Sequence, residues 1–169
     1  MPVTALHFVV RDALWYSIAG KKEGGDAMRI LAADYGDART GLAICDSNET
    51  IASPIGNAQG KGMFAVAEST AETALERGAG MIVVGLPLNM DGSEGPRAAK
   101  CMKFASALER ELEGKDIEVV LWDERSTTVQ AYRNLLDADV SGKKKRGIID
   151  SEAARIILDS YLAFRRNRR

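Results

Sequence analysis

Residues 28–45 read MRILAADYGDARTGLAIC, and the fold turns on how that stretch divides. Ile30 to Ala33 is an apolar run closed by Asp34, Tyr35-Gly36-Asp37 is turn punctuation, and Gly41 to Cys45 is a second apolar run. Two short runs around Gly and Asp predict an antiparallel hairpin. A third strand is expected near Ile51 to Ile55, with Pro54 placing it at a sheet edge or a strand end because proline cannot donate to a ladder.

Beyond this point the periodicity changes. Met63, Val66, Ala67, Thr70, Ala71, Ala74 and Leu75 recur at helical spacing until Gly78. Met81 to Gly85 is almost continuously apolar, as suits a strand covered on both faces. After a loop from Leu86 to Gly95, Ser93 reads as the cap of a helix with Pro96 in its first turn. Ala98, Cys101, Met102, Ala105, Leu108 and Leu112 form that helix's apolar face, and Gly114 ends it. Ile117 to Trp122 is the next buried strand, and Thr127 with Gln130 has the spacing of a capping box for a further helix. The last helix carries a stripe of Ala153, Ile156, Ile157, Tyr161 and Phe164, with Asp150 in line at its N-terminal end. Early antiparallel strands followed by strand–helix alternation imply an α/β protein, a mixed sheet with helices on its faces.

Acids fall at the ends of these elements. Asp34 closes one apolar run, Asp123-Glu124 closes another, and Asp150 opens the final helix. Carboxylates from distant parts of a chain repel one another and lose water on burial, and a divalent metal is the usual remedy. If the fold gathers them, a Mg²⁺ or Mn²⁺ site that hydrolyses phosphodiesters is the economical reading, with two metals activating water and stabilising the leaving oxygen. Taken alone, Asp150 reads better as a helix N-cap. Strand alternation turns Asp123 and Glu124 to opposite faces without saying which acid faces the site.

Composition limits the other classes. The 169 residues suit one domain and one core, and no run approaches the roughly 20 apolar residues of a membrane span. A cytoplasmic protein is expected. Cys45 and Cys101 lack metal or redox spacing and read as buried reduced thiols, while His7 is the lone histidine, which argues against a histidine catalyst. Trp15 and Trp122 read as packing residues. From Ser141 to Arg169 nine Lys or Arg face three Asp or Glu, so the remainder must carry −7 to give the net −1. Lys143 to Arg146 and Arg165 to Arg169 are the two basic clusters, suited equally to phosphate contact and to solvated helix ends. Residues 1–27 stand apart before the Gly24-Gly25-Asp26 linker. They read as a flexible natural extension or a start placed too early, and residues 28–169 form the expected domain.

Four motifs occur in order: Asp34-Tyr35-Gly36 with Arg39-Thr40-Gly41; Val84-Gly85-Leu86-Pro87 with Asn89-Met90-Asp91-Gly92; Asp123-Glu124-Arg125-Ser126-Thr127-Thr128; and Ile149-Asp150-Ser151 with Ala153-Ala154. Together they resemble the YqgF-type family, bacterial proteins described as Holliday-junction resolvases and as nucleases maturing the 5′ end of pre-16S ribosomal RNA. The resemblance runs from about Met28 to Phe164. It implies an RNase H-like mixed β-sheet with helices on both faces, and metal-binding catalytic carboxylates at Asp34, Glu124 and Asp150. Many relatives place a Lys close to the last acid, whereas here Gly147 to Ile149 separate it from Lys143 to Arg146. Arg39, Asn89, Arg125, Lys145 and Arg146 are the expected substrate-binding residues, and Thr127 is expected to cap its helix.

The implied partner is nucleic acid, either pre-rRNA on a ribosomal particle or branched DNA, bound by a monomer or a homodimer. Sugar kinases and actin-like ATPases share an Asp-x-Gly hairpin but need a second nucleotide-binding half. A nucleic-acid-binding module with little catalytic power is the other class, since a fold alone does not establish activity.

Overall fold

The computed structural model describes residues 7–9, 27–126 and 143–168, with the side chains of 7–9, 126 and 143–146 outside that description. The expected hairpin is formed by β2 (Arg29–Tyr35) and β3 (Thr40–Cys45). The third strand is β4 (Ala52–Asn57), at the sheet edge, where the ladder shifts between Leu42 and Ala43 as it passes Pro54. Helix α1 (Met63–Glu76), β5 (Ala79–Leu86), α2 (Pro96–Glu111) and β6 (Glu118–Asp123) follow, then a short 3₁₀ turn (Glu124–Ser126) and α3 (Lys143–Arg166). The sequence reading leaves residues 1–27 outside the fold, yet His7–Val9 forms β1, parallel to β6 and using that strand's outer edge. The order is β1-β6-β5-β2-β3-β4, with β2, β5 and β6 mutually parallel neighbours and β2-β3-β4 antiparallel.

Alternation along the strands divides the core in two. Leu31, Ala33 and Tyr35 of β2, with Ile82, Val84 and Leu86 of β5, face α1 and α2. Ile30, Ala32, Met81 and Val83 face Ala153, Ala154, Ile157 and Leu158 of α3. Helices therefore cover both faces of a mixed sheet. Phe104, absent from the apolar stripe read off the sequence, is fully buried and stacks on Tyr35 at a ring separation of 4.5 Å. Cys45 and Cys101 are free and buried, and Trp122 packs edge-on against Tyr161 in the core.

Two helix starts differ from expectation. The cap of α2 is Gly95, not Ser93. The Ser93 hydroxyl is committed to the loop, donating to Asp91 Oδ1 at 2.6 Å and accepting from Asn89 Nδ2 at 2.9 Å. Helix α3 begins at Lys143, so Asp150 lies about two turns inside it and is not an N-cap. Lys, Arg and Ile propagate a helix readily, and the single Gly147 costs only about 1 kcal/mol. The Thr127–Gln130 capping box lies outside the described residues.

Between β3 and β4 the chain is organised by Asp46. Its Oδ1 accepts from the amides of Thr50 and Ile51, both at 2.7 Å, and its Oδ2 accepts from the Thr50 hydroxyl at 2.8 Å. The Ile51 amide foremost, then the Thr50 hydroxyl, hold the carboxyl down from 3.8 to about 2. A carboxyl depressed in the fold stabilises above its unfolded value, and that contribution is lost as pH falls through the folded one. The difference in urea midpoint between the wild type and Asp46→Ala is therefore expected to be widest above 3.8 and to shrink as pH approaches about 2. A gap unchanged across that range would rule the turn out as a charged device.

Candidate active site

The site lies at the carboxyl ends of the parallel strands, on the face covered by α3. Asp34 shares the parity of Ile30 and Ala32, so its side chain turns to that face, where it is 6% exposed. Its ladder partner on β3 is Gly41. A Cβ on Gly41 would overlap the Asp150 carbonyl group and stand 2.6 Å from the Ser151 amide. The α3 backbone thus rests directly on the residue paired with Asp34, and the absent side chain is what admits it.

A second glycine performs the same service on the other side. Ala33 pairs with Val84, so Asp34 is level with Gly85. A Cβ at Gly85 would overlap Glu124 Oε1 and meet Ile157 Cδ1 at 2.6 Å. Glu124, 5% exposed, therefore points across the end of β5 beneath α3. Asp34, Glu124 and Asp150 share one face, with Gly41 and Gly85 flanking Asp34. Asp123 is oriented by a different partner, its carboxylate accepting from Arg125 Nε at 2.9 and 3.1 Å and from Nη2 at 2.6 Å.

Cations already stand beside two of the acids. Arg39 Nε donates to Asp150 Oδ2 at 3.1 Å, and Arg97 Nη2 is 3.9 Å from Asp34 Oδ1. Among the described residues no three acidic, histidine or cysteine side chains form a ready metal cage. Each of these guanidinium groups offsets the charge of the acid it faces. The donor chemistry, oxygen atoms only and on one face, suits a hard divalent cation.

The other expected residues are distributed unequally. Arg125 follows Glu124 directly, but its guanidinium is held by Asp123, which keeps it above its usual pKa. Asn89 closes the β5–α2 loop through its bond to Ser93 and its backbone pairing with the Ser93 carbonyl and the Gly92 amide. Lys145 and Arg146 lie in the first turn of α3, Arg146 about one turn before Asp150, with side chains outside the described residues. Arg165 and Arg168 lie away from the site. Arg165 is about 22 Å along α3 from Asp150 and is paired with Glu49, while Arg168 lies over the Phe164 ring at 4.6 Å. Sequence reasoning missed Arg97; the only available signal was a cation in the first turn after Gly95-Pro96.

Gly41→Ala is expected to cost about 1–3 kcal/mol, as overpacking does, and to lower activity further than that loss explains, because α3 must lift Asp150 away. Denaturation and cleavage measured on the same variant check this. Wild-type values for both would mean that α3 does not rest on β3.

The family model RuvX, described as Holliday junction resolvase, matches residues 28–164. A protein of Halothermothrix orenii named "Putative pre-16S rRNA nuclease" is 43% identical over 145 residues, spanning 81% of this chain and 96% of that protein. One of the same name from Thermoanaerobacter pseudethanolicus is 40% identical over 142 residues, spanning 83% of this chain and 100% of that protein. Among solved structures, Thermus thermophilus RuvC in complex with a Holliday junction substrate superposes with a TM-score of 0.49 at 12% identity, covering 82% of this chain and 96% of that one.

Proposed function

The chain belongs to the RuvX family and is a nuclease, and from that premise we propose that it hydrolyses phosphodiester bonds at the 5′ end of pre-16S rRNA with divalent metal held by Asp34, Glu124 and Asp150. The observation that carries the catalytic reading is the pair of glycines, Gly41 and Gly85, that lets Asp150's helix turn and Glu124's carboxylate close on either side of Asp34. The preference for rRNA follows the name shared by relatives that align over most of their own length. Residues 28–169 are the nuclease domain in this reading, and a pre-rRNA substrate puts the protein in the cytoplasm. Among the described residues no helix is long and apolar enough to cross a membrane.

When bound, a pair of Mg²⁺ or Mn²⁺ ions supplies an activated water and counter-charge for the leaving oxygen. The rest is the work of side chains. Arg39 orients Asp150 through its 3.1 Å hydrogen bond and carries further donors that can meet substrate phosphate. Arg125, braced by Asp123, and Asn89, fixed in its loop, present polar groups at the same end of the sheet. Lys145 and Arg146 bring positive charge to the first turn of α3, on the approach of a polyanion.

A second reading is favoured by the description of the matching family, Holliday junction resolvase. Purified protein with Mg²⁺ or Mn²⁺ is incubated in parallel with a pre-16S 5′ leader RNA and a four-way DNA junction. Cutting of RNA alone supports maturation. Paired symmetric cuts in the junction replace it with resolution, by a two-fold dimer, and cutting of neither by folded protein overturns both.

A further inference from the structure

Most arginines of the described residues are already committed. Arg125 makes three side-chain bonds to Asp123, Arg165 two to Glu49, Arg155 bridges Glu152 and Asp159, and Arg29 donates to the Arg77 carbonyl. Arg97 differs. Its side chain is 49% exposed, and its contact is the 3.9 Å approach to Asp34, longer than a hydrogen bond. It therefore reaches from solvent to an acid that is almost wholly buried, with its donors uncommitted to any described residue.

Its position is set by the helix that carries it. Lys100, about one turn further along α2, donates to both oxygens of Asp37 at 2.8 and 2.7 Å and so ties the start of α2 to the β2–β3 turn. The first turn of α2 holds no acid to neutralise Arg97. A face with three carboxylates repels a nucleic-acid backbone, so cleavage there needs a cation that meets the phosphate beside the acids. An arginine can exchange one loose carboxylate contact for a two-point grip on phosphate, and its planar fork matches that geometry better than a lysine does.

We propose that Arg97 is a substrate-binding residue that takes the backbone phosphate lying next to Asp34, an inference that rests on the nuclease reading above. The test measures binding and cleavage of whichever probe the wild type cuts, the pre-16S 5′ leader RNA or the four-way junction. Binding is read by anisotropy as a function of salt in an Asp34→Asn background, and KM and kcat are read in the otherwise native protein. Arg97→Ala is expected to weaken binding about tenfold, mainly in KM, and to reduce the magnitude of the salt slope by about one phosphate contact. Arg97→Lys should restore the slope but only part of the affinity. Lys103→Ala, which removes an exposed charge elsewhere on α2, should change neither by more than about twofold.

A salt slope and KM unchanged in folded Arg97→Ala would overturn the proposal and leave Arg97 as a counter-charge for Asp34. If the wild type cuts and binds neither probe, the nuclease reading fails and takes this proposal with it. The wild-type result thus judges the function, and the difference between variants judges Arg97.

Discussion

Asp34→Asn is expected to lower metal-dependent cleavage by about 10³-fold or more while leaving the fold intact. The substitution is nearly isosteric and sits at the end of a central strand, where the backbone ladder to β3 does not depend on the side-chain charge. In the proposed metal site it removes a negative charge that would hold a cation, and such charge stabilisation is worth several kcal/mol, at about 1.4 kcal/mol per tenfold in rate. Folding should be unharmed, because the change also relieves repulsion among acids on one face. Asp123→Asn is the contrasting variant. Its carboxylate is engaged by Arg125, so cleavage should fall by about tenfold at most, the weight of a hydrogen-bonded support rather than of a metal ligand. Cleavage and thermal unfolding measured together decide the matter. Undiminished metal-dependent cutting by folded Asp34→Asn would remove Asp34 from the site, and a larger loss in Asp123→Asn would exchange the two acids' roles.

Glu49→Ala is expected to cost about 3–5 kcal/mol of folding stability. The Glu49 side chain is fully buried, accepts from Arg165 Nε and Nη2 at 2.9 Å each, and accepts from the Met28 amide at 3.1 Å. Burial, the largest single influence, would depress the Arg165 pKa, but the hydrogen bond and charge of Glu49 together with the contribution of Tyr161 outweigh it and hold the guanidinium above its usual value. Removing one partner therefore leaves the other charged and poorly solvated. Against a typical domain stability of about 5–15 kcal/mol the loss is large. Urea unfolding of Glu49→Ala, Arg165→Ala and the double variant provides the check, the double variant being expected to lose less than the two single losses combined. Additive losses, or a single loss under about 1 kcal/mol, would show that the pair behaves as an exposed one. The pair joins the β3–β4 turn and the start of β2 to the end of α3 remote from Asp150, so it also steadies the helix that carries the acid.

These two arginine–acid arrangements explain why charge was a poor guide to the nucleic-acid surface. The sequence shows two basic clusters in the last 29 residues, and nothing in it distinguishes them. In the fold, Lys143 to Arg146 lie at the site end of α3, while Arg165 is turned inward to Glu49. Arg39 and Arg97 stand beside the acids and belong to neither cluster.

Much of the architecture was legible in local pattern. Hydrophobic runs of period two and period 3.6 follow from how side chains leave a strand or helix, so the β2–β3 hairpin, α1, the buried β5 and the mixed sheet could be read before any contact was known. The acids at the ends of those runs were visible for the same reason, and the ordered motifs added the family. Helix starts were less legible, since Ser93 and Asp150 are good caps in isolation and only neighbouring groups decide whether a cap is used. The sequence by itself determined strands β2 to β6, the helices α1 to α3 and the candidate acids, because these depend on residues close in the chain, but not the edge strand β1. Only the tertiary structure decided that Glu124 rather than Asp123 lies beneath α3, that Gly41 and Gly85 make room beside Asp34, and that Arg97 reaches the same acid. Those facts depend on the packing of elements far apart in sequence, and local pattern carries no record of it.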